Sequence, residues 1–185
     1  MHLTHHIDVL GASPDLELAA LAARQHGVVS HRQLIEIGLG RGAIERRVAA
    51  GRLHRVHRGV YAVGHPAIGG RGRWMAAVLR YAPGAVLSHR DAAALHGLRP
   101  NSRRDIDVTA LARRRQIAGI TLHQVRSLHL DDCAQVDGIP VTSIARTLFD
   151  LAEPLRRRDL ARVFDEAERL RIFDLRAVEE VCERN

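Results

Sequence analysis

Between Val28 and Val63 the chain is punctuated so closely by capping residues and glycines that its local structure has few alternatives. Ser30-His31-Arg32-Gln33 has the form of a capping box, in which the Ser and Gln side chains satisfy N–H groups exposed at a helix start. It predicts a helix over 31 to 37 with Leu34 and Ile37 on one face. Gly38-Leu39-Gly40 then supplies the left-handed or tight geometry of a short inter-helix turn. A second helix begins near Arg41 and turns Ile44 and Val48, at i and i+4, toward the interior. After Gly51, LHRVHRGVYAV divides into two β-prone runs around Arg58-Gly59, the pattern of a hairpin. Upstream, Ser13 as N-cap, Pro14 at the first helical position and the stripe Leu18, Leu21, Ala22 predict an opening helix that ends at Gly27. Helix, turn, helix, hairpin is the order of a winged helix-turn-helix.

Charge says what such a module meets. The formal net charge is +7, and every basic residue is Arg, with no Lys in the chain. From Arg24 to Arg104 fifteen Arg face three acids (Glu36, Glu45, Asp91), whereas Asp131 to Asn185 holds nine Arg and thirteen acids. One region therefore suits a phosphate backbone and the other an ordinary solvated or partner-facing surface. Aromatic residues make up 3% of the chain, too few for stacking along a single strand, so duplex DNA is the expected polyanion. On the helix that begins near Arg41, Arg46 lies almost opposite the buried stripe, Arg41 sits at the N-terminal end and Arg47 follows. Gly42, Ala43, Ala49 and Ala50 leave little bulk between helix and groove. Arg52, His54, Arg55, His57 and Arg58 cluster on or near the hairpin, within reach of sugar-phosphate or minor groove, while Val56, Val60, Tyr61 and Val63 pack. The competing reading is a merely solvated helix.

The run His65-Pro66-Ala67-Ile68-Gly69-Gly70-Arg71-Gly72 reads as a linker, followed by an apolar helical segment from Trp74 to Tyr81. Short strands are expected at 85–87, 105–109, 119–125 and 139–142, alternating with helices. Those helices begin at Ser88, with Asp91 three residues on, and at Thr142 or Ser143. Leu160, Val163, Phe164, Ala167 and Leu170 form a further amphipathic stripe. The expected fold class is α+β: a tail over 1–14, with His2, His5 and His6 in no regular pattern, a winged helix-turn-helix over 15–66, and a mixed α/β domain over 67–185. Cys133 and Cys182 stand alone, which points to a reducing compartment and a cytoplasmic location. The start MHLTHHIDVLGAS lacks a basic n-region and a continuous apolar stretch, so neither targeting nor a membrane partner is expected.

The run HGVVSHRQLIEIGLGRGAIERRVAAGRLHRVHRGVYAVGHP, followed in order by VLSHRDAAALHGL and DGIPVTSIARTLFDLA, resembles the AbiEi-type antitoxins, in particular their actinobacterial members. Gly40 stands where that family often has Ser or Thr to cap the recognition helix, and His96 where it often has a large aromatic. The resemblance implies a type IV toxin–antitoxin system. There the antitoxin represses its own operon at promoter DNA and counters a nucleotidyltransferase toxin without a stable complex. Longer relatives continue into a Vsr-like endonuclease domain, so the DNA-binding or scaffold part of a split or truncated nuclease is the alternative.

Catalytic patterns are weaker. Asp105-Ile106-Asp107-Val108-Thr109 has the D-x-D-x-T form of a metal-dependent phosphatase, a third reading, but Arg103 and Arg104 precede it where that class needs a buried apolar strand. A strand with exposed carboxylates is expected instead. Nucleases of the two-carboxylate-plus-Lys type need an ammonium group that a chain without Lys does not carry. Ser88-His89 reads as a helix cap, since no G-x-S-x-G elbow surrounds it. Twelve His include no H-E-x-x-H and no third ligand at accepted spacing. The expectation is a non-enzymatic protein with no catalytic residues, metal, cofactor or small-molecule substrate.

Overall fold

The computed structural model describes residues 13–111 and 114–185, so the His2, His5 and His6 tail and Arg113 lie outside the described residues. Ser13 accepts a hydrogen bond from the Leu16 amide and opens α1 (Pro14–Arg24). There follow β1 (Val28–Ser30), α2 (His31–Glu36), α3 (Arg41–Ala49), β2 (Leu53–His57) and β3 (Val60–Val63). Both bonds of the Ser30–Gln33 capping box form. The three strands make an antiparallel sheet in the order β1-β3-β2, with Val28 opposite Ala62 and Leu53 opposite Val63. Gly59, at φ +77°, makes the β2–β3 turn, where a side chain would be strained.

Helices this short do not persist alone in water, so tertiary burial must hold them. Leu18 and Ala22 of α1, Leu34 of α2, Leu39 of the α2–α3 turn and Ile44 of α3 close on Val29, Leu53 and Tyr61 of the sheet. Each large apolar side chain removed from water contributes about 1.5–3 kcal/mol.

The second unit comprises α4 (Gly70–Tyr81), β4 (Ala85–Leu87), α5 (His89–Leu95), β5 (Ile106–Leu111), β6 (Ile120–Val125), β7 (Cys133–Val136), β8 (Ile139–Thr142), α6 (Ile144–Leu151), α7 (Arg157–Arg169) and α8 (Leu175–Arg184). Its mixed sheet runs β6-β5-β4-β8-β7, with β5/β6 and β4/β8 parallel and the other pairs antiparallel. The α7 stripe packs as expected, Val163, Phe164, Ala167 and Leu170 joining Leu148 and Leu151 in one cluster. Two elements go beyond the sequence expectation. Strand β7 is an edge strand with two exposed residues, paired to β8 through an Asp137-Gly138 turn, and α8 buries only Val181.

Three expectations are corrected. The glycine-rich stretch is not a free linker, because α4 already starts at Gly70. Ser88 does stand at the N-cap of α5, but neither it nor Asp91 supplies a side-chain capping bond: Ser88 bonds the His89 ring, and the Asp91 carboxylate accepts from Trp74, Asn101 and the Asp107 amide. Asp107 is buried, not exposed, while Asp105 stands exposed before β5. The two carboxylates of the phosphatase pattern thus occupy opposite environments.

The winged helix and the second unit share a core, in which Val28, Val60 and Ala62 meet Met75, Ala76, Val78 and Tyr81. Backbone contact is equally close. A Cβ on Gly72 would lie 2.8 Å from the His26 carbonyl oxygen, and one on Gly138 would lie 2.8 Å from that of Arg24. The His26 ring donates to the Asp137 carbonyl at 2.7 Å, and Arg71 pairs with Asp137 at 2.8 Å. Among the described residues no helix is long and apolar enough to cross a membrane.

Candidate nucleic-acid interface

Helix α3 is oriented by Ile44, which is 2% exposed, and by half-buried Val48. With that face fixed, Arg41, Gly42, Glu45, Arg46 and Ala49 fall outward. Gly40 occupies the N-cap with no side-chain bond, so the amides of the first turn are left without a side-chain partner there. Neither Arg41 nor Arg46 makes an ion pair among the described residues. A guanidinium nitrogen of Arg46 lies back along the helix beside Gly42, 3.5 Å from where a Cβ would stand, an ordinary contact distance. An exposed, unpaired guanidinium over a surface of Gly and Ala is free to form the forked pair of bonds that a guanine edge offers.

Arg47, although adjacent, points the other way. Its guanidinium binds Asp15 of α1 at 2.7 Å and the Ala43 carbonyl at 3.3 Å, and its side chain is 19% exposed. Helical geometry separates the two residues by about 100°, which is enough to put one outward and the other in the α1–α3 seam.

The hairpin divides its basic residues in the same way. Arg52, Arg55 and Arg58 are exposed, and the Arg55 guanidinium lies over the Tyr61 ring at 5.6 Å, which steadies its head without neutralising it. His54 and His57 do not join them. His54 Nε2 is buried without a hydrogen-bond partner, and His57 is turned toward α4, where burial and then the nearby Arg80 charge hold its pKa below the ordinary value. An imidazole kept neutral adds nothing to phosphate attraction.

The His31 amide donates to the Gly59 carbonyl at 2.7 Å, which ties the turn to the start of α2. Arg58 there lines a cleft of about 380 Å³ with Arg32, Glu36, Arg80 and Pro83. Arg32 is paired with Glu36 at 2.6 Å, leaving Arg58 and Arg80 as its uncommitted cations among the described residues. Arg80 was not expected, because it lies beyond the segment that sequence periodicity assigns to the winged helix.

Residues 17–64 match a family described as "Transcriptional regulator, AbiEi antitoxin". No curated protein sequence matches the chain. Among solved structures, the RV2827C protein from Mycobacterium tuberculosis is similar, with a TM-score of 0.52 and 17% sequence identity over 94% of this chain and 72% of that one. That likeness concerns the fold and spans both units.

Proposed function

From the winged helix-turn-helix of an AbiEi-antitoxin type regulator over 17–64, we infer that this chain is a duplex-DNA-binding repressor of its own operon. We assign it the antitoxin role in a type IV pair, acting in the cytoplasm against a nucleotidyltransferase toxin with no lasting complex. The observation that carries the DNA reading is the outward set Arg41, Arg46, Arg52, Arg55 and Arg58, exposed and without ion pairs among the described residues. Arg41 and Arg46 belong to the helix that enters the major groove, and the wing arginines to flanking phosphate. Arg47, His54 and His57 are withdrawn from the contact set by the bonds and burial described above.

The test is a binding titration of the full chain on the duplex upstream of its gene and on random duplex, at several salt concentrations. Tight, sequence-dependent binding is expected, with log K falling against log salt by about 0.9 per phosphate contacted. Equal affinity for both duplexes at every salt concentration would remove the repressor reading. Expressed together with a nucleotidyltransferase whose gene adjoins its own, the chain should relieve the growth arrest that enzyme causes, without co-purification of the two.

A further inference from the structure

The interior of the second unit holds polar groups that DNA binding does not use. Between β4 and α5 the chain turns through His89 at φ +49°, a left-handed conformation that costs a bulky side chain energy and that clusters at functional positions. This turn lays the His89 ring on that of His123 in β6, with centroids 3.5 Å apart and planes within 16°. Asp107 of β5, 2% exposed, accepts from His123 Nε2 at 3.0 Å, and Thr109 follows two residues on, on the same face of the strand. Opposite stand Arg146 and Asp150 of α6. Together with Phe149 they wall a cleft of about 410 Å³, within the size range of small-molecule sites.

The electrostatics of this cleft oppose those of the protein. Its one guanidinium is committed: Arg146 donates to Asp150 Oδ1 at 2.8 Å and to Asp132 Oδ2 at 3.0 Å. Burial lowers the His89 pKa to about 3, so that ring is neutral. Exposed Glu153 adds a further carboxylate to the lining. Two side-chain oxygens of the wall, Asp150 Oδ2 and Thr109 Oγ1, are buried with no hydrogen-bond partner, on residues 7% and 1% exposed. Buried acceptors left without donors cost free energy unless something supplies them. Phosphate would meet carboxylate lone pairs, and no group of His, Cys, Asp and Glu among the described residues is placed to hold a metal ion. The missing partner is a donor.

We propose that this cleft binds a small organic cation whose head is a guanidinium or primary ammonium group. The head donates to Asp150 Oδ2 and Thr109 Oγ1, and the body lies against the His123 ring and Phe149. The site is independent of the DNA-contacting arginines and adds a small-molecule ligand to a chain whose sequence suggested none.

The experiment titrates the full chain with agmatine and with putrescine, and with glutarate as the anionic control. It follows the histidine ring resonances by NMR and the thermal midpoint. Saturable binding of at least one cation is expected, shifting His123 and His89 resonances and raising the midpoint, with no response to glutarate. Asp150→Asn should weaken it about tenfold or more, as for loss of a charge-assisted bond. Because Asp150 also pairs with Arg146, Thr109→Val serves as the isosteric variant that leaves that pair intact, and it should weaken binding several-fold. Saturable binding by neither cation, an equal response to glutarate, or unchanged affinity in Thr109→Val would each overturn the proposal.

Discussion

The two units of this protein place their polar chemistry on opposite sides of their surfaces. In the winged helix the interior is apolar and five arginines stand outward, whereas ten of the eleven buried polar or charged side chains among the described residues belong to the second unit. The difference follows from what each core supports. Three short helices on a small sheet bury little apolar area to offset a desolvated charge. A five-stranded sheet covered by helices can hold the Arg146 guanidinium between Asp132 and Asp150. The first unit therefore keeps its arginines at or near the surface, and the second holds one inside by pairing it.

The largest test of that contrast is Arg146→Met. It leaves Asp132 and Asp150 buried opposite an apolar side chain and should cost about 3–5 kcal/mol of folding stability. Urea unfolding followed by the single tryptophan, Trp74, reports it, because the indole donates to buried Asp91 within the same unit. Arg46→Met should stay within about 0.5 kcal/mol of the wild type. If the two variants unfold at the same urea concentration, the interior of the second unit is not organised around its ion pairs.

The next effect is in pH. His89 is depressed from 6.5 to about 3 in the folded chain, so its contribution to stability is fully present above about pH 6.5 and is lost as pH falls toward about 3. Burial raises the pKa values of Asp91 and Asp150, and those groups act in the opposite sense, regaining stability as the pH falls. A difference measurement isolates the histidine. His89→Asn keeps a residue tolerant of the left-handed backbone and removes the titration. Relative to this variant, the wild type should lose on the order of 3 kcal/mol between about pH 7 and about pH 4. Parallel stability curves would mean that His89 is not held neutral by the fold.

The winged helix was legible in sequence because its signals are local. A capping box, a Gly-Leu-Gly turn and an Arg-Gly hairpin each act within a few residues, and each forms. Most of the second unit's strands were legible for the same reason. The candidate cleft was not, since Asp107, His123, His89 and Asp150 come from four elements and meet only through a mixed sheet whose order no local pattern encodes. Nor was the close fit of the two units. Gly69, Gly70 and Gly72 look like flexibility in one dimension, whereas Gly72 is glycine because the His26 carbonyl passes too close for a side chain. Residues 15–66 and 67–185 remain a proposal as separable units, against which their shared core weighs.

The finest test uses two neighbours that repeat the contrast within α3. Arg46 is exposed and unpaired, and Arg47 is bound to Asp15 and Ala43 in the α1–α3 seam. Sequence alone placed both in the DNA-contacting set, because helical periodicity gives an arginine's direction only roughly and says nothing of an aspartate thirty-two residues earlier. Arg46→Ala should weaken binding to the cognate duplex by about 1–3 kcal/mol with little change on random duplex, as for a lost base contact. Arg47→Ala should instead cost about 0.2–1 kcal/mol of folding stability, the range of a partly exposed ion pair, and leave both DNA affinities within error. Titrating each variant on both duplexes and unfolding each in urea separates the outcomes. A shared loss of cognate binding would mean that the Asp15 pair opens on DNA and that Arg47 turns outward to join the reading surface.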